Sequence, residues 1–168
     1  SALEEPHPSY IEKVEHSGDY VGNLRNIIAR KSYSHLLKLK TDNKNTINTM
    51  MSLNTISNNL EKMGDYCENI VKQTGFLKNK KFIKKFNYQE YYKIVLTAMD
   101  FIVESIFKGD VQMSLEICKA EYKIDELYDK DFKKIMKQLK KTEDTHNDLI
   151  TAMTIFRYLE RMGDALLI

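Results

Sequence analysis

Leu53, Ile56, Leu60, Met63, Cys67 and Ile70 recur at alternating spacings of three and four. At that period they form one narrow stripe of an α-helix, the pattern of a bundle helix with a single packing seam. The same logic predicts helices along nearly the whole chain. Ser9 reads as the N-cap of a first helix from Tyr10 to Lys40, weakened in its middle by Ser17-Gly18-Asp19 and Gly22. Thr41-Asp42-Asn43 breaks it, and the striped helix follows as far as Gln73, where Thr74-Gly75 ends it. A third helix is predicted from Tyr88 to Phe107, stopping at Lys108-Gly109. Asp110 then caps a fourth that reaches Lys141, Thr142 to Thr145 turn the chain, and a last helix starts at His146.

Within the stripe lies Leu60-Glu61-Lys62-Met63-Gly64-Asp65, and 99 residues later the chain reads Leu159-Glu160-Arg161-Met162-Gly163-Asp164. A near-identical hexapeptide at a fixed offset marks an internal duplication. At the same offset Ile155 matches Ile56 and Leu166 matches Cys67. Each copy places two carboxylates four residues apart, Glu61 with Asp65 and Glu160 with Asp164. On a helix these lie about one turn apart on one face, where they can converge on a cation. Glu68 extends the first line. These acids flank the seam, so they are expected to stay accessible and ionised while Leu60 and Met63 are buried, with Gly64 admitting a neighbouring backbone. The division that follows is residues 1–75 as a first repeat, 76–87 as a basic connection and 88–168 as a second repeat. The second repeat reads as three helices. The first has room for only two, so its first helix is either lost or upstream of this sequence.

Composition narrows the classes. The 168 residues are 42% hydrophobic and 30% charged with a net charge of +2, ordinary for a folded domain and unlike a nucleic-acid binder. Only two prolines, Pro6 and Pro8, and six glycines occur, so the fold class expected is all-α. The densest basic run, Lys78 to Lys85, is read as a solvated link. The apolar segment Ile94 to Phe107 is too short to span a bilayer and carries Asp100 and Glu104. Cys67 and Cys118 match no disulfide or zinc pattern and are expected to be reduced and packed, which suits a cytoplasmic setting. The chain stops within an apolar helical pattern, Ala165-Leu166-Leu167-Ile168, as a fragment of something longer would.

Helical repeats ending in L-E-[RK]-M-G-D resemble the PhoU family, and the likeness covers nearly the whole chain. The resemblance implies an elongated bundle of two three-helix repeats, the first here lacking its first helix. It implies a regulator of phosphate uptake and phosphate-dependent signalling at the inner face of the membrane, with a phosphate transporter or sensor kinase as partner. It also implies iron or zinc, with manganese or magnesium as weaker choices, at the acidic motifs. The motif maps onto Glu61 and Asp65 and onto Glu160 and Asp164, and Asp125 resembles the acidic position of the family's middle helix. The matching position in the first repeat is Asn26. Where family members carry Asp-Leu-Arg, this chain reads Thr46-Ile47-Asn48 and Thr145-His146-Asn147, which departs from a full multinuclear cluster. A cytosolic tail of a sodium-dependent phosphate cotransporter, covalently part of a membrane protein, is the alternative within the family, and a homodimer stays open.

Arg157 and Arg161 adjoin Glu160 and can neutralise the second motif, and Leu167 stands where the first has Glu68. The first motif is therefore ranked above the second. His7, His16, His35 and His146 follow no ligand spacing and read as surface or capping residues. No catalytic triad or phosphate-cradling loop is present, and no predicted helix carries a Glu-x-x-His motif to face another, which disfavours an enzyme, a carboxylate-bridged metalloenzyme included.

Overall fold

The structure is a computed structural model describing residues 8–38, 43–79, 81–141 and 144–167. Its long elements are α1 (Pro8–Lys38), α2 (Lys44–Thr74), α3 (Tyr88–Lys108), α4 (Val111–Leu139) and α5 (His146–Leu166), with a 3-10 turn at Phe82–Lys85 between α2 and α3. No strand occurs among the described residues. The all-α expectation holds, and helix boundaries fall within two residues of those read from the sequence wherever both ends are described.

Local chemistry explains most boundaries. The Asn43 side chain accepts from the Thr46 amide at 3.3 Å and opens α2. Gly109 closes α3 at φ 64°, a left-handed conformation that only glycine adopts cheaply, and its amide donates to the Ser105 carbonyl at 2.8 Å. Asp110 caps α4 by accepting from the Gln112 amide at 2.8 Å. Ser9 is not the N-cap: α1 already begins at Pro8, a residue suited to a first helical turn because its missing amide would have no partner there. The expected ends at Lys40 and Thr41-Asp42, and the Thr142 turn, lie outside the described residues.

α1 packs on α2, α2 on α5, and α5 on α4 and α3, while α3 also packs on α4. The core therefore concentrates in the C-terminal half: Tyr91, Ile124, Ile135, Leu149, Ile155 and Leu159 are fully buried. Phe156 of α5 is the hub, with its ring centroid 5.2 Å from Phe86 and 5.4 Å from Tyr91. The connection is not simply a solvated link. Leu77, Phe82, Ile83 and Phe86 are buried, and the Asp148 carboxylate of α5 accepts from the Lys78 amide at 2.7 Å and the Asn79 amide at 3.3 Å. Its described lysines are exposed while its apolar residues pin it down.

The two hexapeptides part company in burial. Leu159 is fully buried, but Leu60 is 37% exposed and Leu53 39% exposed, so of the seam expected along α2 only Met63 and Ile70 are buried. The cause is coverage. α3 lies over α4 and α5 in the C-terminal half, whereas α1 and α2 leave an open apolar groove of about 450 Å3 lined by Val21, Leu24, Ile28, Leu60 and Met63, with Leu96 of α3 on its far wall. Cys67 is partly buried at this groove, but Cys118 is exposed, contrary to the expectation that both are packed.

Candidate functional site: two acidic motifs in unequal surroundings

On α2 the acidic line runs against the glycines of α1. A methyl group at Gly18 would meet Glu68 Oε1 at 2.2 Å, one at Gly22 would meet Glu61 Oε1 at 3.5 Å, and one at Gly64 would lie 3.8 Å from the Gly18 Cα. Gly18 and Gly22, which read as helix weaknesses, are instead where α1 comes close enough to touch those carboxylates. The sequence did not flag Arg25: its Nε donates to Glu61 Oε2 at 2.8 Å. Glu68 pairs with Lys72 at 3.3 Å. Asp65 remains, its carboxyl held above the usual range by partial burial and then by the charges of Glu61 and Glu68.

On α5 the same motif is drawn inward. Glu160 is 9% exposed, so the expectation that the acids beside the seam escape burial fails here. Its Oε1 accepts from Arg157 Nη1 at 2.6 Å, and its Oε2 faces Arg161 Nε at 3.9 Å without a hydrogen bond among the described residues. Burial raises the Glu160 carboxyl, and the Asp164 charge raises it further, against the pull of Arg157 and Arg161. Asp164 also accepts from Arg161 Nη1 at 3.2 Å.

What distinguishes this half is α4. Oxygens of Glu121, Asp125 and Asp164 lie within 4.8 Å of one another. Glu121 is raised by partial burial, by the charges of Asp125 and Asp164, and by its hydrogen bond to Asp125. Like charges are thus held together at some cost, the arrangement a cation relieves. Glu121 is the residue that sequence reasoning missed, although Glu121 and Asp125 repeat the glutamate-to-aspartate spacing of the two motifs. At the 99-residue offset its counterpart is Gly22, and that of Asp125 is Asn26. At these two positions α1 therefore offers the first half no carboxylate, and Arg25 meets Glu61 instead. The geometry reverses the ranking made from sequence: three carboxylates converge at α4 and α5, and among the described residues no such triplet forms around Glu61, Asp65 and Glu68. Of the described histidines, His16, His35 and His146, none joins the triplet, and His7 lies outside the described residues. His146 does cap, accepting the role expected of it: its Nε2 lies 2.9 Å from the Leu139 carbonyl at the end of α4.

Paired helices that end in this motif, on an all-helical scaffold, match a family model described as the PhoU domain over residues 1–74 and 88–167. The chain belongs to the PhoU family. It is 25% identical to the phosphate-specific transport system accessory protein PhoU homolog 1 of Thermotoga maritima, over 97% of this chain and 71% of the relative. The phosphate-specific transport system accessory protein PhoU homolog of Clostridium acetobutylicum is 22% identical over 97% of this chain and 75% of that protein. No described helix is long and apolar enough to cross a membrane.

Proposed function

We propose that this PhoU-family protein is a non-enzymatic regulator of phosphate uptake, working in the cytoplasm through a membrane phosphate transporter or its sensor kinase. The observation that carries the reading is a PhoU domain on both halves of the chain, with both relatives named as accessory proteins of phosphate transport. Those names favour the accessory role over the cotransporter tail. The chemistry of the bundle agrees, because its conspicuous polar groups are carboxylates and arginines arranged to bind rather than a nucleophile with its base.

We further propose that Glu121, Asp125 and Asp164 hold a cation, with Glu160 beside them. The fit rests on the unsatisfied, buried Glu160 Oε2 and on the mutual repulsion at Glu121. An all-oxygen donor set suits a hard ion, so iron or manganese fits better than zinc, which prefers nitrogen and sulfur ligands. Such an ion would supply charge that fixes α4 against α5. Arg157 and Arg161 would then hold Glu160 and Asp164 in place from the other side. Glu61 and Asp65 are left as a weaker site because Arg25 already occupies Glu61.

The test is phosphate uptake in a bacterial host lacking its own PhoU-family protein, complemented with the full natural gene. Restored repression of uptake in high phosphate is the expected result, with Asp125→Asn/Asp164→Asn impaired at normal protein levels. Wild type that never alters uptake or phosphate-responsive expression would refute the regulatory role.

A further inference from the structure

The basic run of the connection does not stay alone in the fold. Lys78, Lys81, Lys84 and Lys85 are exposed beside the buried Phe82 and Ile83. The Lys134 ammonium of α4 donates to the Lys85 carbonyl at 2.7 Å and lies 4.7 Å from the centre of the Phe86 ring, which joins the connection to the last turns of α4. There Lys130, Lys133, Lys134, Lys137, Lys140 and Lys141 are all exposed and fall at helical spacing on one side of the chain's path. At 1.5 Å per residue this stripe is roughly 16 Å long.

Two bland explanations fall short. Lysines near a helix C-terminus satisfy its dipole, but that effect is confined to the last turn, and Lys130, Lys133 and Lys134 lie well before Leu139. Ion pairing does not absorb Lys130, Lys133, Lys134 and Lys137 of α4, or Lys140 and Lys141 just beyond it: among the described residues none of these six makes a salt bridge, while Asp131 turns inward to accept from Tyr91 Oη at 3.3 Å. Among the described residues, ten exposed lysines in these two segments face five exposed acids within five positions of them in the chain, Glu90, Asp125, Glu126, Asp129 and Asp144, in a protein whose total charge is +2. This face is strongly positive and the rest of the molecule is net negative.

We propose that the face formed by the connection and the C-terminal half of α4 docks on an anionic bilayer surface, orienting the acidic α4–α5 site away from the lipid. The partner is read from the chemistry. All ten cations are lysines, hydrated point charges that suit a diffuse field of headgroups, with no arginine among them to fork onto a nucleic-acid phosphate or base. The choice of a bilayer rests on the proposed role beside a membrane transporter; the positive face itself does not.

The experiment is co-sedimentation of the full chain with phosphatidylcholine vesicles, with and without phosphatidylserine, at about 0.1 M salt, where charges more than roughly 10 Å apart are screened. Binding is expected only to the anionic vesicles and should be lost in high salt. At roughly fivefold per lysine, Lys133→Gln/Lys137→Gln/Lys140→Gln should weaken partitioning about a hundredfold with helical content unchanged. The same loss of charge at Lys13, Lys31 and Lys62, on α1 and α2, should change it by no more than about threefold. No binding to anionic vesicles, or equal losses in the two triple variants, overturns the proposal. Capture of single-stranded RNA with the same lysine dependence but no vesicle binding overturns it in favour of a nucleic-acid surface. Vesicle binding that fails while phosphate regulation persists would remove this orientation and leave the accessory role standing.

Discussion

Leu60 and Leu159 occupy the same place in two copies of one hexapeptide, yet one is 37% exposed and the other fully buried, so truncating each to alanine isolates the effect of a covering helix. Leu→Ala removes about three carbon groups, worth roughly 0.8 kcal/mol each when buried. At Leu159, which is fully buried, a cavity adds to that loss, and about 3–5 kcal/mol is expected. At Leu60 water enters the open groove, only part of the side chain is withdrawn from solvent, and about 1–1.5 kcal/mol is expected. The difference of at least about 2 kcal/mol should appear in urea unfolding as separate midpoints with similar slopes, and in thermal melts as a gap of several degrees for a domain of this size. Equal destabilisation would mean that the groove over α1 and α2 is closed in solution and that the coverage argument is wrong.

The glycines of the same motif offer a second contrast. A methyl at Gly163 would press against Ile124 at 3.1–3.3 Å, and Ile124 is fully buried, so Gly163→Ala should cost about 1–3 kcal/mol by overpacking. Gly64→Ala meets ordinary contact and should be neutral or gain up to about 1 kcal/mol of helix propensity in the same assay. Asp131 supplies a pH test. Burial holds its carboxyl above the ordinary value, partly offset by Tyr91 and by the nearby Lys134 and Lys130. Its protonated form is therefore favoured by folding, and that stabilisation is present below the unfolded-state value and lost as pH rises through the folded one. Asp131→Asn, which can still accept from Tyr91, should gain stability relative to wild type at pH 7, with the gap shrinking on acidification through the carboxylate range. A gap that widens on acidification would refute the assignment.

How much of this was legible in the sequence follows from what each signal encodes. Helices and caps were readable because they depend on neighbours in the chain: Asp110 caps α4 and Gly109 closes α3 as their chemistry requires. Burial along α2 was not, because a three-and-four stripe names the face that seeks a partner and not whether a partner is there; Met63 found one and Leu60 did not. The site was half visible. Glu160 and Asp164 announce themselves by repetition, but their company depends on α4, which lies about 40 residues away in sequence at Glu121 and Asp125. Arg25, 36 residues before Glu61, was hidden for the same reason. The short-range spacing of Glu121 and Asp125 was there to be noticed, and its absence at Gly22 and Asn26 is what makes the two halves chemically unequal.

That inequality is most directly tested by loading the full chain with iron or manganese, removing unbound ion, and measuring retained metal by elemental analysis in wild type, Glu61→Gln/Asp65→Asn and Asp125→Asn/Asp164→Asn. Retention in wild type and in the α2 variant, with loss in the α4–α5 variant, is the expected result, and the melting temperature should rise with metal only where metal is kept. Retention that survives loss of Asp125 and Asp164 but disappears with Glu61 and Asp65, or no retention by any of the three, would contradict the account.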